Sequence, residues 1–594
     1  LAAQDYSSAE ISDVYFTDDA LDIDELQEMI DTYRQNPLVW DNCRIKDLKA
    51  LPLNDRLKST LINLKQNRKK YSDWKQLATD ANLAAAEVAA IRSFIVLSRS
   101  SVATGQILSA LSLKSRDGET TLGKNLQRGR YHSRQNWFAG TVLESDADEP
   151  DVWDYRNFSL RSPKIHDRFE LLGGAFRLNW GQGLLFASNL MSGRGTDVTG
   201  NLSSGRQGFK NYLGADENRY LFGVAGQFYL RPLNVYSFIS HHKLDASVDE
   251  NIVTNLRSDG IHISAAQIEA KDALSEMLGG FGLTYDWNGG TVGVLGYGAG
   301  YSLPIRVIEN RQNIGGLTVF HGVENDGISI SGEGAFLSNH GLGLIENIGL
   351  DLEKFAMSAG WRYFSPQFFA PLGSPFKKFS GMPNNESGFY TGLKVKLPRR
   401  WWWSGYVDFY REIESPVAGE MPQNGLELLT GANRQTASGN LIEAWYKHTK
   451  SYTAGANDRQ LKLHIRQNYC PNLSLEIRAV AHWNAQTPIS DGGQAIGFIG
   501  RGVLPDKTRL TMGITHYFVT ASDLGIYFYE PGLPTQFNLN SLTGTGQRYF
   551  LIISRAIGSA CEIAGAIRWR SIWSVSAEHS SNEFSGDLQL VFDL

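Results

Sequence analysis

The segment Arg177–Gly195, RLNWGQGLLFASNLMSGRG, carries four glycines and a basic end, and it follows a strand-like run. Glycine-rich turns can cradle phosphate, because a chain without Cβ atoms can aim successive amides at one anion. The spacing here excludes both known loops of that kind. A P-loop reads Gly-x-x-x-x-Gly-Lys-Ser/Thr, and neither Gly181, Gly183, Gly193 nor Gly195 is followed by Lys-Ser/Thr. A dinucleotide fingerprint reads Gly-x-Gly-x-x-Gly, whereas Gly181-Gln182-Gly183 continues as Leu184-Leu185-Phe186.

A second chemical candidate is His241-His242 with Asp245, as a metal site or, with Ser240, as a nucleophile set. Neighbours on a strand face opposite sides, so the two imidazoles do not easily meet one ion. A catalytic triad is defined by geometry rather than nearness in sequence. These histidines are read as lumen or loop residues. No catalytic residue, cofactor or metal is assigned, and the chain is expected not to be an enzyme.

The third candidate is the basic cluster Lys65, Arg68, Lys69 and Lys70, which suits nucleic acid or an acidic partner surface. Over the whole chain of 594 residues the net charge is only −5, too little to imply a polyanionic partner. The three cysteines, Cys43, Cys470 and Cys561, form no short-spaced pair, so a CxxC metal or redox site is excluded. Free thiols are preferred, with a Cys470–Cys561 bridge left open. No apolar run is long enough for a helical membrane span, which leaves open a crossing made by alternating strands. Leu1-Ala2-Ala3 before Gln4 fits either the tail of a cleaved export signal or an arbitrary boundary.

Two regimes must position these residues. Residues 1–35 read as an acidic arm and first helix, with ten acids and one base. Residues 36–98 read as short helices. Leu57, Leu61 and Leu64 follow Asn54, Trp74 and Leu77 follow Ser72, and Val88, Ile91 and Ile95 close the series. Glycine is absent from the first 100 residues.

From 101 to 594 glycine becomes common and the period changes to two. Leu473, Leu475 and Ile477 oppose Glu476, Arg478 and His482, while Lys462, His464 and Arg466 share the polar face of the preceding strand. Leu590 and Phe592 alternate with polar residues near the end. At about 20 residues per strand and turn, this stretch yields ~24 strands, within a range of about 18–26. An open sheet of that size leaves hazardous edges, which closure removes.

A membrane barrel turns its apolar face to lipid, and a soluble sandwich turns it inward. Tryptophans near strand ends, at Trp180, Trp401–Trp403 and Trp569–Trp573, favour interfacial girdles and hence the membrane. The fold expected is therefore an all-β transmembrane antiparallel barrel after a small all-α domain. Leu473, Leu475, Ile477, Leu590 and Phe592 are the lipid-facing candidates. Lys462, His464, Arg466, Glu476, Arg478 and His482 are the lumen-lining ones. Residues 188–216, rich in Gly, Ser and Asn, are expected to form a plug or an extracellular loop.

Several segments resemble helix-hairpin-helix-containing outer-membrane barrels of the Bacteroidetes and Chlorobi type. They are Asn36-Pro37-Leu38 with Leu51-Pro52, RKKYSDWKQLATDANLAAAEVAAIRSFI, RLNWGQGLLFASN, VYSFISHHKLDA and GIHISAAQIEAKDALSEMLGGFGLTY. The resemblance implies an outer-membrane location in a Gram-negative bacterium, with the helical domain in the periplasm. It says little about biochemical role. The glycines that bare backbone amides to DNA in such hairpins are missing from Leu51–Asp55 and Asp80–Ala84, so DNA is a disfavoured partner. The expected partners are outer-membrane lipid and envelope proteins, in an accessory subunit of a secretion or assembly complex. The alternatives are a solute channel and DNA uptake.

Overall fold

The computed structural model describes Ile30, Tyr33 and residues 37–594, apart from 52, 54, 68–69, 84, 98–102, 117–118, 188–194, 203–206, 259, 353, 380, 416–418, 437–438, 454, 471, 485–491, 521–524, 535, 537, 559 and 574–580. The acidic arm expected over 1–35 thus lies outside the described residues, save Ile30 and Tyr33.

In the helical region, the spacing of Leu57, Leu61 and Leu64 puts all three on the buried face of helix Asp55–Gln66. Helix Trp74–Ala81 is capped by Asp73, one residue beyond Ser72, with the carboxylate accepting from Lys75 N–H. It ends where Asn82 takes the left-handed conformation, at φ 50°, and Ala85–Arg92 follows. Leu38–Val39 pairs in parallel with Ile95–Val96, so the chain enters and leaves this unit side by side. Its core includes Trp40, Leu48, Leu57, Leu61, Leu77, Ile91 and Phe94.

Beyond it, a closed antiparallel wall runs from Thr104–Arg116 to Ser581–Asp593. These two end strands pair from Gln106↔Asp593 to Arg116↔Glu583, which shuts the barrel. Three short strands, Gly208–Asn211, Ala246–Asp249 and Ile252–Leu256, lie off the ring, leaving 24 wall strands. Closure pairs every wall strand on both sides, so no open edge is left to recruit another chain.

The outer face is apolar in every sector. Phe281, Leu317, Phe336, Phe389, Phe409, Leu461, Phe498, Ile567 and Leu588 are all exposed on it. A continuous apolar belt of this extent has no stable partner in water, and lipid is the solvent that suits it. Tyr285, Trp287, Trp361, Tyr469, Trp569 and Trp573 are exposed among it, as interfacial aromatics are. The chain is an outer-membrane β-barrel.

Connections differ sharply between the two ends. At one end the longest spans 162–168, and several are two-residue turns; at the other they span 180–220, 245–273, 365–385 and 520–543. The helical region leads into the barrel at the short-turn end.

Leu473 and Leu475 are exposed on the outer face and Ile477 is half-buried there, as Leu590 is on its strand; Phe592 is exposed. A spin label at Leu475 should therefore be relaxed by oxygen and shielded from a water-soluble relaxer. Protection from both would place Leu475 in a packed protein interior. Leu475→Arg should cost on the order of 2–4 kcal/mol near mid-membrane, read as a lower unfolding midpoint in micelles.

The occluded interior as the candidate functional site

A wall of this many strands encloses more space than its own side chains fill. Barrels of roughly 16–18 strands already leave an aqueous channel, and those of roughly 22 carry a plug. Here the long connections fold inward and do the filling.

The first starts at Gly174. Its φ of +85° and a carbonyl oxygen of Phe158 only 2.4 Å from where a Cβ would stand both require glycine. Beyond it, Phe176–Asn179 pairs with Gly208–Asn211 and is buried throughout. Trp180, expected in an interfacial girdle, is instead wholly buried inside, edge-on to Tyr236 and Phe320 at 5.2 Å each. The bend at Gly174 accounts for this change of environment.

The Gly181–Gly183 turn does bind an anion through its amides, but the anion is internal. Gln182 and Leu184 N–H donate to Glu333 Oε2 at 2.6 and 3.1 Å, and Thr318 donates to Oε1 at 2.6 Å. Gly181 has φ +55°, and a Cβ there would stand 2.5 Å from the Glu333 carboxylate. Leu184, Leu185 and Phe186 then pack into a core with Phe238, Leu278 and Leu295 from the inner wall. The inner face is thus partly apolar, where alternation alone suggested a polar lumen.

Of the loop expected over 188–216, residues 188–194 and 203–206 lie outside the described ones; the rest folds inward. Val198 O accepts from Tyr390 OH at 2.6 Å, and Ser358 lies on the same carbonyl at 3.2 Å. Asp197 reaches the helical region, where Lys58 Nζ lies 2.5 Å from its Oδ2, with both side chains about nine-tenths buried. Lys210 sits 5.4 Å over the Tyr33 ring. Arg44–Asp286 and Lys49–Asp351 tie the helical region to short turns at the rim. A cavity of about 1240 Å³ lies between, lined by Lys49, Lys58, Gln182, Asp197, Asn347 and Lys394 among others.

Two more connections plug the barrel by the same device. Glu386 accepts from the backbone N–H of Lys378 and Phe379 while holding Arg362, whose other nitrogens grip Asp408 at 2.7 and 3.1 Å. Across the barrel, Ile526–Tyr529 and Leu539–Leu542 form a hairpin. It packs on inner-wall Val480 and Tyr517, and its neighbour Glu530 is gripped by Arg548 and Thr515.

The six lumen candidates share the inner wall. Lys462, His464, Arg466, Glu476 and Arg478 are buried, and His482 is half-buried, with Nδ1 3.3 Å from Gly525 O. Glu476 is the hub: Arg478 and Arg501 bind it directly, His464 Nε2 lies at 2.9 Å and Arg466 Nε at 3.5 Å. It faces packed protein rather than open water, so Glu476→Arg would add a fourth guanidinium to a desolvated cluster. In the basic cluster, Lys65 donates to Trp40 O and lies over its ring, Lys70 is exposed, and Arg68 and Lys69 fall outside the described residues.

The histidine pair divides. His241 is exposed on the outer side, and His242 is buried against Tyr220 at 4.2 Å. Asp245 pairs not with His242 but with His262, which pattern reading overlooked. Nearby, Asp216 and Glu217 have opposite fates. Burial disfavours the Asp216 carboxylate, but Arg219 and Arg177 outweigh it and hold its pKa low. For Glu217, burial and then Asp245, Asp154 and Glu144 push the pKa up to about 10.

Glu476→Gln should destabilise the barrel by about 3–5 kcal/mol, because it strands several buried cations. Urea unfolding in detergent measures this, and a loss below ~1 kcal/mol would mean that the cluster is hydrated.

No family model and no curated protein matches the chain. Among solved structures, the P pilus usher PapC translocation pore aligns over 83% of this chain and 99% of its own, at 8% identity and TM-score 0.37. The siderophore receptor PirA from Pseudomonas aeruginosa covers 84% of this chain and 82% of its own, at 7% identity and TM-score 0.42. OpdL, also from Pseudomonas aeruginosa, covers 65% and 99%, at 10% identity and TM-score 0.32. The chain is an outer-membrane barrel of 24 strands whose own loops occlude its interior.

Proposed function

We propose that the protein is a gated outer-membrane conduit, held shut by its own loops and latched by its N-terminal helical domain. The observation that carries this reading is the buried Lys58–Asp197 contact, which joins the helical domain to the plug loop across 139 residues. A barrel needed only as an anchor has no use for such a width. The pattern of short turns and long loops supports a periplasmic short-turn end, hence a periplasmic helical domain. An envelope partner that docks on this domain, and competes for Lys58, would release the latch. A non-enzymatic role fits the closed interior, whose described polar groups largely pair with one another.

A second reading, an accessory subunit that never conducts, is favoured by one observation. The packed apolar core around Phe186 and Phe238 resembles a permanent filling. DNA uptake has less support, since Lys65 is engaged by Trp40.

Planar-bilayer recording separates the readings. Wild type should be closed most of the time. Lys58→Glu, which sets two carboxylates together, should raise the frequency of large openings, and Lys58→Asp with Asp197→Lys should return it toward wild type. Silence from all three proteins would favour the accessory subunit. In intact cells, added protease should spare residues 37–97, and cleavage there would reverse the orientation.

A further inference from the structure

At the long-loop end, three chain segments bring carboxylates around one buried imidazole. Asp154 lies in the connection after strand Phe138–Ser145, and Glu217 lies at the return of the plug loop. Asp245 follows strand Leu233–Leu244, and His262 precedes helix Ala265–Ala270. Both ring nitrogens of His262 face carboxylates: Nδ1 is 2.5 Å from Asp154 Oδ2, and Nε2 is 3.1 Å from Asp245 Oδ2. The side chains of His262, Asp154 and Asp245 are all at least 94% buried. One oxygen each of Glu217 and Asp245 and a nitrogen of His262 lie within 4.8 Å of one another.

We propose that Glu217, Asp245 and His262 Nε2 bind a divalent metal ion of the zinc class, which clasps the plug loop to the barrel rim. Three features of the arrangement go beyond clustered acids. First, His262 is oriented as metal-bound histidines are, with its remote nitrogen directed at a carboxylate, that of Asp154. Second, Asp245 is set before any ion arrives: Asn218 Nδ2 holds its Oδ2 at 3.1 Å, and Asp272 N–H holds its Oδ1 at 2.9 Å. Third, Gly260, at φ +57°, leaves the space that Glu217 occupies; a Cβ there would stand 3.3 Å from Glu217 Cγ.

The donor set narrows the ion. One imidazole with two carboxylates suits zinc and its first-row neighbours, whereas calcium and magnesium prefer oxygen alone. Three protein ligands leave at least one position for water. On binding, the ion takes the place of any proton on Nε2, which passes to solvent. The site is independent of whether the barrel conducts.

The test uses the full chain in detergent, free of any histidine tag and carrying Cys470→Ser to remove the exposed thiol. Zinc alone is the probe, in competition with a chromophoric indicator. One equivalent should bind at micromolar affinity or better and raise the unfolding temperature. Glu217→Gln is the decisive variant, because it keeps shape and size while weakening a ligand. It should remain folded, as read by heat-modifiable migration on gels, yet bind zinc roughly tenfold or more weakly; Asp154→Asn should weaken binding about 10–100-fold through His262. Absence of stoichiometric binding by the parent protein would overturn the proposal. So would a folded Glu217→Gln protein with unchanged affinity.

Discussion

Desolvated carboxylates on the inner wall hold this structure together. Glu333, Glu386 and Glu476 are each almost fully buried, and Glu530 is so within its loop. A carboxylate removed from water must be answered by several donors or it neutralises. At Glu333 the answer is the amides of the Gly181–Leu184 turn; at Glu386 it is the amides of Lys378 and Phe379 together with Arg362. Glu333 and Glu386 thus each fix a loop inside the barrel, whereas Glu476 ties three neighbouring wall strands together. Without those loops the apolar inner positions, Phe238, Leu278 and Leu295 among them, would face water. The wall and its filling therefore stand or fall together.

Strand alternation made the wall legible. A period of two is a local property, and Leu475 beside Glu476 declares it within a few residues. Strand number followed from length, since turns at one end of a barrel are short and regular. The helical region was legible for the same reason, from Leu57, Leu61 and Leu64. The filling was not legible, because loops carry no period. Trp180 near a strand end has the composition of an interfacial tryptophan, and only the turn inward at Gly174 makes it a core residue. The glycines that resembled a phosphate loop did signal an amide-lined anion site, although their partner, Glu333, is 150 residues away in sequence. Likewise His262 gave no motif, since Asp154 and Glu217 reach it from other connections and Asp245 stands 17 residues before it in its own.

The proposed gating would act where the helical domain holds the plug loop. The segment Trp180–Phe186 is fixed by amide–carboxylate bonds and by aromatic packing against Phe238 and Tyr297. Around Asp197 the loop is held by the ion pair to Lys58, by hydrogen bonds to Tyr390 and Ser358, and by the packing of Val198 against Phe376, Tyr390 and Tyr406. A gap of a few kcal/mol between shut and open forms keeps the open one at about 0.1–10% of the population. An interaction of that size is within reach of one docking partner, provided that it binds the two forms differently.

The central claim is that the barrel's own loops occlude it with a packed core at the level of Leu185, and thiol labelling tests it most directly. Leu185 lies at the centre of the filling. In a background where the exposed Cys470 is serine, Leu185→Cys should resist a membrane-impermeant thiosulfonate from either side of the membrane, and react only after unfolding. Rapid modification in the folded barrel from one side would mean that water reaches this position, and the self-filled barrel would have to be given up.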